Sequence, residues 1–240
     1  MYRLYKKNES WFAVLFIIIY VVGISITDSV SKSVGIPKSV TSLFCIVLFA
    51  IIFLFIQKHK LFTYYGLCKS NLPAKKVLYY FPLVVIASVN LWFGVKMNFT
   101  LIETLLYILS MLFVGFLEEV IFRGFLFQAM CKDNVKTAVI VSSITFGIGH
   151  IVHLFNGSGA ELIPNLCQVC YAIAIGFMFV TLFYRGKSLW PCIIMHGVFN
   201  SLSAFSNKEM AEIYRIPIAI ILIVVSSGYS LFLIKRTSKS

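Results

Sequence analysis

Eight predominantly apolar stretches, each about as long as a bilayer-spanning helix, divide this chain at about 11–27, 40–56, 77–95, 99–128, 137–155, 162–184, 188–205 and 213–234. A membrane helix needs about 20 such residues, because the hydrocarbon core is ~30 Å thick and a helix rises ~1.5 Å per residue. Nothing in that core can hydrogen-bond a stray peptide group, so the backbone must satisfy itself within helices. The fourth stretch is too long for a simple span and is expected to run past the bilayer, tilt, or break near Gly115. Only 12% of the chain is charged and 60% is hydrophobic, whereas about 25% of a soluble domain is charged. The predicted fold is all-α: a polytopic membrane helix bundle of about eight transmembrane helices. Residues 1–240 read as a single membrane domain, with the motif-bearing core at about 99–205.

Charge sets the orientation. With a cytoplasmic N-terminus, the segments on that side hold 16 basic residues and the outer segments hold five, Lys32, Lys38, Lys96, Lys208 and Arg215. That alternation follows the positive-inside rule, and an extra or missing helix in the middle would scramble it. Both termini are therefore expected in the cytoplasm, in a multi-pass protein of the cell membrane. The length and the abundance of Lys, Ile and Phe suggest a bacterial plasma membrane. The net charge of +12 sits in short runs between apolar stretches, so it suits anionic headgroups and no nucleic-acid partner is expected. The basic start followed by an apolar run from Trp11 has no small-x-small site after it, and reads as an uncleaved first membrane helix. Within the longest cytoplasmic loop, 57–76, the partly apolar Leu61 to Leu67 is expected to lie at the interface. The scattered cysteines make no disulfide framework, and Cys167-Gln-Val-Cys170 is expected to serve helix packing.

Against this background a few residues are out of place. Glu118 and Glu119 stand in Leu-Phe-Val-Gly-Phe-Leu-Glu-Glu-Val-Ile-Phe-Arg-Gly, apolar on both sides. An ionised side chain at mid-membrane costs about 2.5–3.5 kcal/mol even on the lenient insertion scale, and such residues are functional candidates by default. Glu119 and Arg123 are four apart, on one helical face, and can neutralise each other as a structural ion pair. Glu118 is turned about 100° away and is left to do chemistry. In the fifth stretch, Phe146-Gly-Ile-Gly-His150 offers a histidine beside glycines that allow a neighbour to come close. His153 lies one turn on, nearer the outer end. In the seventh, His196-Gly-Val-Phe-Asn200 presents a histidine and an amide side by side.

Two machines can be assembled from these groups. In one, His150, His196 and Glu118 bind zinc, and a metal-bound water attacks a peptide bond. In the other no metal is needed: Glu118 and His150 activate a water while His196 and Asn200 stabilise the oxyanion. No His-Glu-x-x-His helix is present.

The three motifs, Glu118-Glu119-x-x-x-Arg123, Phe146-x-x-x-His150 and His196-x-x-x-Asn200, together resemble the CPBP family, the CAAX-protease and bacteriocin-processing proteins also called the Abi family. The resemblance spans residues 118–200. It implies an intramembrane endopeptidase acting on a membrane-associated peptide or protein, with Glu118 as the water-activating glutamate, His150 as its partner, and His196 with Asn200 on the oxyanion side. Bacterial members are associated with bacteriocin self-immunity or the processing of peptide signals, and the family name implies a metalloprotease. Two other classes share the polar core: a non-catalytic immunity or scaffold protein, and a proton-coupled transporter, against which stands the lack of an internal repeat. Counted from the helix starts, His150 lies about 20 Å along its span and His196 only eight residues past Ser188. The fifth helix is therefore expected to start deep or tilt so that the two can meet in the cytoplasmic half.

Overall fold

The computed structural model describes residues 1–72, 80–155 and 160–237, with side chains as far as Lys235. Residues 77–79 of the expected third span, and Lys75, Lys76 and Lys239 of the charge count, lie outside the described residues. The described chain is helical, with an isolated antiparallel bridge between Val95 and Ser206. We number the helices α1 (Tyr2–Lys7), α2 (Glu9–Ser33), α3 (Ser39–Lys58), α4 (Phe81–Leu91), α5 (Leu101–Cys131), α6 (Val135–Leu154), α7 (Leu162–Gly186), α8 (Trp190–Leu202), α9 (Lys208–Ile213) and α10 (Arg215–Thr237). Polar side chains start several of them by binding the first free amides. Asn8 accepts from Trp11 N, Thr100 and Glu103 form a capping box, and Asn134 accepts from Thr137 N.

Among the described residues six helices, α2, α3, α5, α6, α7 and α10, are long and apolar enough to cross a membrane. Their outer faces carry exposed Ile18, Val22, Leu43, Leu54, Ile140 and Val224, as lipid-facing surfaces do. The third and seventh stretches form α4 and α8, which are shorter than a full span. At ~1.5 Å per residue they are only about 16 and 20 Å long.

Contacts mark those ends. At the first, Lys132 pairs with Glu9 at 2.7 Å, Tyr64 donates to Glu9 at 3.0 Å, and Arg185 reaches the Ile234 carbonyl at 3.5 Å. Both termini therefore lie at this end. At the second, Lys38 pairs with Asp28 at 2.8 Å, Ser42 donates to the Leu106 carbonyl, Lys96 N donates to Phe205 O, and Phe93 stacks on Tyr214. The first end carries Arg3, Lys6, Lys7, Lys58, Lys60 and Lys69, then Lys132, Lys136, Arg185, Lys187 and Lys235, against Glu9 and Asp133. The second carries the five outer basic residues against five acids, Asp28, Glu103, Glu161, Glu209 and Glu212. Among the described residues one end is thus strongly positive and the other balanced.

Three expectations are revised. First, Leu61 to Leu67 does not lie along an interface. The chain turns inward there, burying Tyr65 against Phe125 with ring centroids 4.9 Å apart. Gly66 makes the turn at φ +71, a conformation glycine adopts without strain. This hairpin roofs the start of α8: Gly66 O accepts from Leu189 N and Cys68 O from Ser188 Oγ, and both Ser188 and Leu189 are buried. It is therefore α8, not the fifth helix, that begins deep. Second, α5 does not break at Gly115. It is continuous, about 46 Å long at ~1.5 Å per residue, and widens into a π-helix from Glu119 to Phe127. Gly115 is instead where α8 crosses, since a Cβ there would sit 2.6 Å from Gly197 N; small residues let membrane helices approach this closely. Third, of the pair expected to serve helix packing, Cys167 is half-buried and Cys170 is exposed.

Candidate active site

The site forms where α5, α6 and α8 meet around the π-helical turn of α5, a feature common at functional sites. Glu119 and Arg123 are both fully buried, with Arg123 Nη1 3.1 Å from Glu119 Oε1. The guanidinium also stacks 4.0 Å from the Phe146 ring centroid and 5.3 Å from that of Phe179. A desolvated cation over an aromatic face gains about 2 kcal/mol or more, so Phe146 helps Arg123 remain buried. Phe146 also meets the His150 and His196 rings edge-on, and so joins all three motifs.

His196 stands between the two glutamates. Its Nδ1 is 2.8 Å from Glu119 Oε1, and its Nε2 is 3.4 Å from Glu118 Oε2. A carboxylate only accepts, so Nδ1 carries a proton toward Glu119, and a further proton must lie on Nε2 or Oε2 for those two atoms to face each other without repulsion. Glu118 Oε1 is held from another direction by the Tyr20 hydroxyl at 2.6 Å. Glu118 Oε2 is buried and has no hydrogen bond among the described residues.

His150 ends the α-helical part of α6. Its Nδ1 is 3.1 Å from the Phe146 carbonyl, which can only accept, so Nδ1 is the donor and Nε2 is left with its lone pair. Its own carbonyl accepts from Asn165 Nδ2 at 2.9 Å. Gly147 lets α7 come close, because a Cβ would meet Ile173 N at 2.8 Å, whereas Gly149 has nothing within 4 Å. Glu118, His150 and Asn200 line one cavity of about 290 Å³, just below the usual ligand-pocket range of about 300–1,000 Å³. A narrow cleft shared by His150, His196 and Asn200 adjoins it. The four residues named from the sequence thus converge, with Glu118 reading toward His196 as well as toward His150.

The cavity extends from Glu118 past Tyr107 to Asp28, Lys38, Asn90 and Ser203, all at the charge-balanced end. The sequence reading missed Tyr20, because tyrosine is unremarkable in a membrane helix and only the packing of α2 on α5 aims it at Glu118. It also missed the Asp28–Lys38 pair at the rim. His153, expected nearer the outer end, is a wall residue of the same cavity.

Among the described residues no group of three His, Cys, Asp or Glu is placed to hold a metal ion. The Nδ1 atoms of His196 and His150 face Glu119 and the Phe146 carbonyl, an arrangement that leaves Nε2 as the ring atom able to ligate.

Fold and site together define a multi-pass α-helical membrane protein with a buried carboxylate–histidine cluster lining a polar cavity. Residues 100–202 match the family described as type II CAAX prenyl endopeptidase, Rce1-like. They hold all three motifs, and over these residues the chain is similar to this CAAX-protease family. It is also 31% identical over 111 residues to the Bacillus subtilis (strain 168) protein described as "Putative membrane peptidase YdiL". That match covers 46% of this chain and 40% of the relative, less than half the relative's length. No solved structure gives a significant match.

Proposed function

We propose that this chain is a metal-independent intramembrane endopeptidase that hydrolyses a peptide bond of a membrane-associated peptide or protein. The observation that carries the reading is that Glu118, His150 and Asn200 line one cavity, with Glu118 Oε2 unbonded and 3.4 Å from His196 Nε2. A water lodged between this oxygen and His150 Nε2 meets two proton acceptors. Tyr20 holds the other carboxylate oxygen, so Glu118 is pre-aligned as the general base. As the water attacks, negative charge grows on the carbonyl oxygen, and His196 Nε2–H and Asn200 Nδ2 are the donors on that side. The Glu119–Arg123 pair orients His196 and is not consumed. The proton taken by Glu118 then passes to the leaving amine.

The match of residues 100–202 to the CAAX prenyl endopeptidase family supports this reading. Bacteriocin self-immunity or peptide-signal processing would use the same chemistry, and the positive-inside rule supports placing both termini in the cytoplasm. The test is mass spectrometry of membrane peptides from cells making the wild-type chain or Glu118→Gln. Cleavage products present only with wild type are expected. Identical peptide sets would refute the protease and favour the non-catalytic immunity or scaffold reading.

A further inference from the structure

We infer that substrate reaches Glu118 from the extracytoplasmic face, so that this enzyme acts on extended, largely apolar peptide segments exported to that face or exposed there, such as the outer end of a membrane-spanning helix. The inference rests on the proposed peptidase activity and adds the side of access and the substrate class.

Three independent observations carry it. The first is the charge difference between the ends, eleven basic residues against two acids at the first end and five against five at the second, among the described side chains. Short segments rich in Lys and Arg stay in the cytoplasm, so the balanced end is the outer one. The second is the direction of the cavity. From Glu118 it passes Met111 and Tyr107 to the Asp28–Lys38 pair, whose side chains are 25% and 21% exposed; there the cavity meets the outside. The third is the floor. Below Glu118 toward the basic end lie Ile121, Phe122 and Phe125, all buried, then the roofing hairpin with buried Tyr65. A larger apolar groove of about 500 Å³ does lie near that end beside Trp190, but neither glutamate and neither histidine lines it. Buried Met195 partitions it from the cleft beside His196.

The walls indicate what fits. Ile24, Met111, Val114, Tyr171 and Phe199 offer apolar surface, and Asn90, Gln168 and Asn200 are amides able to pair with an extended backbone. The rim charges cancel as an ion pair, so no strongly charged peptide is selected.

The test uses the full-length chain in bacterial cells, with cysteines introduced one at a time and labelling read above the wild-type background. Lys32→Cys and Lys58→Cys report the two ends. Asp28→Cys and, should that variant fail to accumulate, Tyr107→Cys report the cavity. A membrane-impermeant methanethiosulfonate is applied to spheroplasts and to inverted vesicles. Labelling of Lys32→Cys and the cavity cysteine in spheroplasts, and of Lys58→Cys only in inverted vesicles, is expected. A charged adduct on the cavity cysteine should abolish cleavage. Labelling of the cavity cysteine from inverted vesicles alone overturns the inference, as does the reverse assignment of the two ends. Labelling needs no hydrolysis, so loss of the peptidase reading and loss of the access route give different results. A single-span reporter tagged at both ends supplies the second measurement. Product shed into the medium supports outer access, and product released only into the cytoplasm refutes it.

Discussion

Replacing Gly115 with alanine should disable the site without touching any polar group in it. In the native packing α5 and α8 cross at Gly115 and Gly197. An added Cβ would lie 2.6 Å from Gly197 N, 2.8 Å from its Cα and 3.2 Å from Ile193 O. All three are backbone atoms, so no rotamer change relieves the contact. Carbon contacts relax to about 3.5 Å or more, so the helices must part by about 0.7 Å. His196 is one residue from Gly197, and Glu118 is three from Gly115, so the shift passes almost undiminished to the pair they form. The Nε2–Oε2 separation of 3.4 Å would grow to about 4 Å, the limit of ion-pair contact. Overpacking of this kind costs about 1–3 kcal/mol of stability, and a misplacement near 1 Å costs about 10²-fold in rate. The assay is cleavage of a membrane peptide by purified protein in nanodiscs, with kcat and KM resolved and thermal unfolding measured in parallel. Gly228→Ala in α10 is the control, because nothing lies within 4 Å of its Cβ position; it should leave kcat unchanged. If Gly115→Ala folds and keeps kcat within about twofold, the α5–α8 crossing does not set the distance between catalytic groups.

Four further outcomes are expected. Tyr20→Phe removes the 2.6 Å bond to Glu118; a hydrogen bond to a charged group is worth about 1.5–3 kcal/mol, so kcat should fall at least about tenfold with KM little changed, and in a Glu118→Gln background the same change should add nothing. Arg123→Met leaves Glu119 and His196 buried without their cation, and should cost about 3–5 kcal/mol, read as lost accumulation or a lower unfolding temperature in detergent. Full cleavage activity should persist after exhaustive chelation and dialysis, and activity restored only by added zinc would refute the metal-independent reading. His150→Gln should abolish cleavage while peptide binding, read by crosslinking, survives; loss of both would make His150 a packing residue.

The ion pair and the convergence of three motifs were legible in the sequence because they depend on local spacing. Residues four apart on a helix meet, and four polar groups on apolar helices have few places to go besides one another. Depth was not legible. Counting from helix starts assumed that each begins at the membrane surface, but α8 begins beneath the hairpin at Gly66, which lowers His196 to the level of Glu118. The double role of His196 was hidden for the same reason, since its contact with Glu119 depends on how far α8 is sunk. The widening of α5 after Glu118 left no mark in composition. Tyr20 was invisible because α2 carries no motif, and the direction of the cavity depends on which helix ends stay apart.

The shortness of α8 bears on how the protein is made. A helix of 13 residues falls well below the ~20 needed to be held in a bilayer by its own hydrophobicity. As the chain leaves the ribosome, α2 to α7 can enter the membrane before α8 exists, whereas α8 needs the groove that α5 and the Gly66 hairpin have already built. His196 is therefore installed last. Until it arrives, Glu118 lacks its neighbour and Glu119 one of its two donors, so on the proposed chemistry the unfinished bundle is inactive toward the nascent membrane proteins around it.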